Sequence, residues 1–386
     1  MRIAFLGDPN NQHTRRWASY FANRGHVCAV FCDPPVLRPL QGVEIICPRM
    51  SLARKAVAFK FVRHRFSNDL FKAGPYRSAV GHWKPDLVHG FEALNYGYAT
   101  AACRRRPTVL TPWGNDIFDW PRQSKLARYL VTRALRGAWM ISTNAPGLEI
   151  FLAHEYGIAP QKVDCFSWGV DLSVFRPGLT EEAKAFGKQI ALPEDARVVL
   201  SPRMMKPYWG VGLIAEALGA IARPPRRAGP PVVVVFLRGF GSAAYEEELR
   251  RRIASEGLAP HARFVSQPLT ASEMAAAFNR AEVFISAPQT DLLASTVLEG
   301  MACGCVPILA DLPYYHTRVQ DGENGFFLAE RTPAAIAAAV QQALAWPQRL
   351  QEMGRANVEQ AARLDDWRRC APRMEALYQR VAGKKD

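Results

Sequence analysis

Two carboxylates eight residues apart, Asp291 and Glu299, stand on either side of a strand-to-helix turn in the stretch from Ile285 to Leu309, ISAPQTDLLASTVLEGMACGCVPIL. Val283 to Ser286 reads as a buried strand, Ser295 and Thr296 open a helix, and Gly304 ends it before a second apolar strand, Val306 to Leu309. Amides at such a helix start lack intrahelical partners and sit at the positive end of the helix dipole, which suits a diphosphate. Asp291 before the turn and Glu299 one turn into the helix suit hydrogen bonds from sugar hydroxyls. The chemistry these residues offer is that of a nucleotide-sugar site. The same residues also spell a capping box, Thr296-Val-Leu-Glu299, in which Glu299 returns to the backbone of Thr296. Spacing alone leaves both readings open.

Further residues with chemical potential follow other strand-like runs. Ser201-Pro-Arg203-Met-Met-Lys206-Pro-Tyr-Trp-Gly210 precedes a helix and offers two cations to the same diphosphate. No D-x-D pair occurs in the sequence, so neither a metal nor another cofactor is expected, and the neutralising charge falls to Arg203, Lys206 and the helix start near Ser295. Arg238-Gly239-Phe-Gly241 follows a four-valine strand but is a poor dinucleotide fingerprint. Ala244 stands at the third glycine, and Leu258, Ala259 and Pro260 stand where a ribose-binding acid would fall. In the first half, Gly7-Asp-Pro-Asn-Asn-Gln-His13 ends a strand and begins a helix, so its amides suit a phosphate or an acceptor.

The elements that must hold these residues alternate along the whole chain. Strand-like runs occur at Ile3 to Leu6, Val27 to Cys32, Val43 to Cys47, Leu87 to His89, Val109 to Thr111, Met140 to Ser142 and Val163 to Phe166. After a polar stretch to Pro193 that reads as a linker, they resume at Val198 to Leu200, Val232 to Leu237, Arg263 to Val265, Val283 to Ser286, Val306 to Leu309 and Phe326 to Leu328. Helical patterns fit between them, clearest at Thr14 to Arg24 and Lys125 to Arg136. Short apolar strands alternating with helices imply parallel sheets covered on both faces. A chain of 386 residues, 49% of them hydrophobic, is long enough for two such α/β domains. Two facing sheets would set two ligand sites opposite one another across a cleft.

Composition narrows the classes. The first strand begins at Arg2, without the pattern of a signal peptide, and no run of eighteen apolar residues occurs, so the expectation is a cytoplasmic protein, peripheral at most. The eight cysteines show no C-x-x-C spacing and read as reduced core residues. From Met1 to Thr180, 24 Lys and Arg stand against 12 Asp and Glu, which places +12 of the net +14 in the first half. The densest part, Ser51 to Arg77, interleaves Lys60, Arg63, Arg65 and Lys72 with phenylalanines, as an interfacial helix on an anionic membrane surface would. The alternative for that segment is a solvated helix packed on its own sheet. No zinc-finger spacing or RNP-like motif points to nucleic acid.

The segment from Asp291 to Glu299-Gly-Met-Ala-Cys-Gly-Cys-Val-Pro resembles the E-x7-E signature of glycosyltransferase family 4, retaining enzymes of the GT-B fold, with Asp in the first acidic position and Leu292-Leu293-Ala294 in place of the Gly-rich residues. The resemblance implies two Rossmann-like domains, 1–180 for the acceptor and 190–363 for the nucleotide-sugar donor, with 364–386 a helix crossing back to the first domain and a tail. It implies that Arg203 and Lys206 neutralise the leaving diphosphate, that Glu299 binds the ribose and Asp291 a donor-sugar hydroxyl, and that the turn of Gly239 and Gly241 lines the nucleotide pocket. His89-Gly-Phe-Glu92 and Pro112-Trp-Gly-Asn115-Asp116 resemble family segments on the acceptor side, where Glu92 and Asp116 are the candidate acids and His13 and Asn115 their neighbours. Asp116 is equally suited to capping a helix. Thr317 stands where the family often has Glu, and Ser167-Trp-Gly-Val-Asp171 matches a hinge segment. The implied activity is metal-independent, retaining transfer of a sugar from a UDP- or GDP-sugar to a glycan, lipid or small-molecule hydroxyl; the membrane surface that the basic segment would meet is the inner face of the cytoplasmic membrane. Two rivals stand beside it: a nucleotide-sugar epimerase of the same fold, and a basic peripheral membrane protein with a vestigial donor site.

Overall fold

The computed structural model describes residues 1–48, 67–222 and 229–383. The chain divides into two compact units, one of Met1–Phe166 with Pro372–Asp386 and one of Ser167–Ala371.

The first unit is built on a seven-stranded parallel sheet in the order β3-β2-β1-β4-β5-β6-β7. Its strands are β1 (Arg2–Leu6), β2 (Val27–Phe31), β3 (Val43–Ile46), β4 (Leu87–Phe91), β5 (Thr108–Thr111), β6 (Met140–Thr143) and β7 (Val163–Cys165). β4 and β5 are buried along their full length, as expected of strands covered on both faces. The second unit carries six parallel strands in the order β10-β9-β8-β11-β12-β13. They are β8 (Arg197–Ser201), β9 (Val232–Leu237), β10 (Ala262–Val265), β11 (Val283–Ser286), β12 (Val306–Ala310) and β13 (Phe326–Leu328). Strand order reverses beside β1 in one unit and beside β8 in the other. The carboxyl ends of β1 and β4, and of β8 and β11, are therefore the switch points where open α/β sheets take ligands.

Helices cover both sheets, and one corrects the sequence reading. The polar stretch taken as a linker holds a helix, Thr180–Gln189, whose Ala183 and Phe186 are buried and which packs on the helix Ala271–Arg280. Glu181 and Glu182 in its first turn favour the helix dipole, and its exposed polar face hid the buried one. Near the carboxyl end, the helix Pro347–Leu364 precedes a last helix, Trp367–Ala382. Pro372, which has no N–H for the helix ladder, is the first residue of this last helix assigned to the first unit. Tyr378, beyond it, is fully buried and stacks on Phe21 with ring centroids 4.5 Å apart.

Of the membrane segment, Lys60, Arg63 and Arg65 lie outside the described residues. The helix Ser67–Trp83 follows them. Lys72 does not face lipid; it is buried and paired with Asp33 at 3.0 Å and Asp69 at 3.2 Å. Among the described residues no helix is long and apolar enough to cross a membrane. The cysteines are free, and most are buried, but Cys47 is exposed and Cys165 half-buried, which corrects their reading as core.

Candidate active site

In the second unit, the loops after β8 and β11 are fastened to one another. Gly210 has φ +73°, and a Cβ there would fall 2.0 Å from the Ala287 carbonyl oxygen, so only glycine permits this approach. The Tyr208 hydroxyl donates to the Thr290 carbonyl at 2.9 Å, and the Gln289 amide to the Tyr208 carbonyl at 3.4 Å. This junction holds Arg203 and Asp291 together, with Arg203 Nη2 2.9 Å from Asp291 Oδ2. Arg203 also donates to Thr296 Oγ1 at 3.2 Å, and its guanidinium lies 3.8 Å from the centre of the Trp209 ring.

Asp291 accepts two further hydrogen bonds, from the Tyr315 hydroxyl and the Leu292 amide, each at 2.9 Å. Burial pushes its carboxyl above the ordinary value, against the opposing pull of Arg203 and these donors. The sequence reading gave Arg203 to a diphosphate and Asp291 to a sugar as separate groups, whereas the structure pairs them. A ligand anion arriving here meets a guanidinium already oriented by a carboxylate, a hydroxyl and an aromatic face.

The helix Ser295–Ala302 starts at this pair, with Ala294 in the cap position and no side-chain cap. The capping box proposed for Thr296 and Glu299 is thus not the cap of this helix, because the helix begins one residue before Thr296. Glu299 is buried one turn in, and Ser295 lies half-buried at the helix start. Lys206 is exposed, in the cap position of the short turn Pro207–Trp209. Gly239 and Gly241 have a packing role. Gly239 has φ +54°, and a Cβ on Gly241 would lie 2.6 Å from both the amide and the carbonyl oxygen of Met205. The turn after β9 thereby braces the loop that carries Arg203. Among the described residues no three His, Cys, Asp or Glu side chains form a metal-binding group.

In the first unit, the ends of β1, β4 and β5 converge. His13 sits in the first turn of the helix Gln12–Asn23, and its ring centroid is 5.8 Å from that of Trp113. Asn115 and Asp116 open a one-turn helix, Asn115–Phe118. The Asp116 carboxylate accepts from the amides of Ala93 at 2.6 Å, Gly114 at 2.8 Å and Trp113 at 3.0 Å. It ties the end of β4 to the turn after β5 and does not cap the helix in the usual sense. Burial pushes it up to about 6, although these amides favour its charged form.

Glu92 stands directly beside this tie on strained backbone. It has φ +62°, and Asn95, whose side-chain amide donates to Glu92 Oε2 at 2.7 Å, has φ +65°. Such conformations cost of order 1–3 kcal/mol each in non-glycine residues and cluster at functional sites. Burial, with the Asp116 charge adding to it, pushes Glu92 up to about 8; Asn95 and Lys72 act in the other direction. His89, by contrast, is sealed in the core and does not line a site. Its Nδ1 meets the Tyr378 hydroxyl, its Nε2 meets Thr111 Oγ1 at 2.7 Å, and burial depresses it to about 3, so it is neutral. The resemblance to a histidine-bearing acceptor segment thus marks a structural residue. Reading motifs gave no role to Trp209 or Tyr315; Trp209 at least stands in the loop that carries Arg203 and Lys206, whereas Tyr315 is far from Asp291 in sequence and gave no signal.

Known proteins resemble this chain in sequence and in fold. Residues 2–145 match the family model described as Glycosyl transferase 4-like, and residues 183–360 match Glycosyl transferases group 1. Among curated relatives, D-inositol 3-phosphate glycosyltransferase 2 of Catenulispora acidiphila is 31% identical over 231 residues, 59% of this chain and 53% of that protein. The chain thus spans about half the length of that relative, whereas in D-inositol 3-phosphate glycosyltransferase of Segniliparus rotundus 24% identity extends over 95% of this chain and 83% of the relative. Among solved structures, sucrose-phosphate synthase from Thermosynechococcus elongatus superposes with a TM-score of 0.81 at 18% identity over 100% of both chains. Anabaena HepE in complex with UDP and glucose superposes with a TM-score of 0.76 at 17% identity, over 98% of this chain and 99% of that one.

Proposed function

The chain belongs to glycosyltransferase family 4 and has the GT-B fold, and from that premise we propose that it transfers a sugar from a nucleotide diphosphate to an acceptor hydroxyl, with retention and without a metal. The observation that carries this reading is Arg203, held by Asp291, Thr296 and Trp209 at the head of the helix Ser295–Ala302, with Glu299 buried one turn further on. A diphosphate here gains a charge-assisted bond from Arg203 and the amides of the helix start, and Lys206 adds charge from the rim. Glu299 takes the ribose hydroxyls and Asp291 a hydroxyl of the sugar. Positive charge on the leaving group is what departure of a nucleoside diphosphate requires. For retention, the acceptor attacks on the face the diphosphate leaves, and a departing phosphate oxygen takes the acceptor proton.

In the first unit, Glu92 is the group we assign to the acceptor. Protonated at neutral pH, it donates a hydrogen bond, while Asp116 fixes the loop that presents it. A UDP-sugar is the first donor to test, since HepE binds UDP. Calorimetry with UDP- and GDP-sugars in the presence of EDTA tests the donor site, and NMR of the product tests retention. Absence of donor binding, together with a Glu299→Ala variant identical to wild type, would defeat the reading.

We also assign this unit a contact with anionic lipid. The helices Ser67–Trp83, Gly97–Ala102 and Lys125–Gly137 pack side by side, and their outer surface with the turn after the second exposes Arg77, Arg104, Arg105, Arg106, Lys125 and Arg133. The only acid in those three helices is Asp69, which is buried. Flotation with phosphatidylglycerol vesicles should fall when Arg104, Arg105 and Arg106 are changed to Glu; unchanged flotation would remove this face from the proposal.

A further inference from the structure

Cys32 and Cys47 follow directly on β2 and β3, whose last register pair is Phe31 with Ile46. The Cys32 amide still donates to the Ile46 carbonyl at 3.0 Å, so the strands remain side by side one residue further on. In parallel strands, residues at the same step beyond a pair point to the same face. The two sulfur atoms are 3.6 Å apart. Paired strands lie about 4.8 Å apart, inside the range of roughly 4.4–6.8 Å that Cα atoms span across a disulfide. Closing the remaining gap therefore needs side-chain rotation, not movement of the sheet.

The two thiols differ in access. Cys47 is exposed and Cys32 buried, and burial, with Cys47 beside it, raises the Cys32 thiol far above its ordinary value. A reagent in solution meets Cys47 first. We propose that Cys32 and Cys47 are a reversible dithiol–disulfide site, oxidised by low-molecular-weight disulfides of the glutathione class.

In the first step the Cys47 thiolate attacks one sulfur of oxidised glutathione. That S–S bond breaks, one glutathione thiolate leaves, and Cys47 carries the other half as a mixed disulfide. Cys32 then gives its proton to the leaving thiolate and attacks the Cys47 sulfur, expelling the second glutathione. Two protein thiols are oxidised and one oxidised glutathione becomes two reduced molecules. The new bond fastens the edge strand β3 to β2. It also adjoins Asp33, which accepts from Tyr76 at 2.8 Å and pairs with Lys72, the partner of Asp69. Asp69 in turn accepts the amide of Asn95, which holds Glu92, so the site stands at one end of a continuous set of contacts to the strained loop.

The test treats the full chain with oxidised glutathione, maps its cysteines by peptide mass spectrometry and follows thermal unfolding; it requires no turnover. Expected are a single Cys32–Cys47 bond with a mass loss of about 2 Da, reversal by dithiothreitol, and a midpoint rise of about 5 °C, from loop closure of this size, that the treated Cys47→Ser variant lacks. The Cys32→Ser variant should stop at the mixed disulfide. A glutathione adduct that persists on Cys47 of the wild-type chain, or failure of Cys47 to react, would overturn the proposal.

Discussion

Both units put acids at the switch point of a parallel sheet, yet they treat them in opposite ways. In the second unit Asp291 is buried against Arg203, and the pair is framed by Tyr315, Thr296 and Trp209. In the first, Asp116 is buried against three backbone amides, and Lys72, the cation acting on Glu92, is itself paired with Asp33 and Asp69. One arrangement stores an oriented positive group and the other a proton. Similar backbones thus yield an oriented guanidinium in one unit and carboxyls pushed toward their neutral form in the other, and the side chains at the strand ends decide which.

The largest test removes the stored cation. Arg203→Ala is expected to lower donor turnover by about a thousandfold, because it deletes a leaving-group contact and strands a buried carboxylate. Steady-state kinetics with calorimetry checks this, and retention of turnover within about tenfold would erase the contrast between the units. Glu92→Gln tests the stored proton. A carboxyl raised to about 8 in the folded state stabilises the fold at low pH and loses that contribution as pH rises from its unfolded value near 4.5 through 8. The variant should therefore gain about 1–3 kcal/mol on wild type between pH 6 and pH 9 in denaturant titrations; parallel pH profiles would show that Glu92 is ordinary.

Smaller effects sharpen the description of the second unit. Trp209→Leu removes the face on which Arg203 lies, and a rise in donor KM of about tenfold is expected, with Trp209→Phe recovering most of it. An equal loss in both variants would assign Trp209 to packing. Tyr315→Phe deletes one hydrogen bond to a buried carboxylate and should cost about fivefold in donor affinity. No change in calorimetry would mean that Asp291 needs only Arg203.

The fold was legible because strands buried on both faces read as short apolar runs, as the central strands of both sheets do, while the edge strands β3 and β7, each with an acid and only partly buried, were placed by the alternation around them. Helix boundaries were harder where one face is polar, as at Thr180–Gln189, in which only Ala183, Phe186 and Gly187 are buried. Within the site, the motif spacing brought Arg203, Asp291 and Glu299 to one loop cluster, but not the ion pair, since a sequence gives charges without their partners. The left-handed backbone of Glu92 and Asn95 left no trace, because neither residue is glycine and tertiary contacts impose the conformation. The meeting of Cys32 and Cys47 depends on the register of β2 with β3, which spacing does not supply.

The last helix has a bearing on how the protein is made. Tyr378 completes a core that otherwise belongs to the opening residues of the chain: it stacks on Phe21 and bonds to His89. Glu375 likewise pairs with Arg24. During synthesis the strands of the first unit leave the ribosome before the second unit, but Tyr378, a piece of their interior, leaves after it. The core of the first unit therefore has all its residues only after the intervening unit has been translated, and the aromatic socket at Phe21 stays unfilled until Tyr378 has emerged.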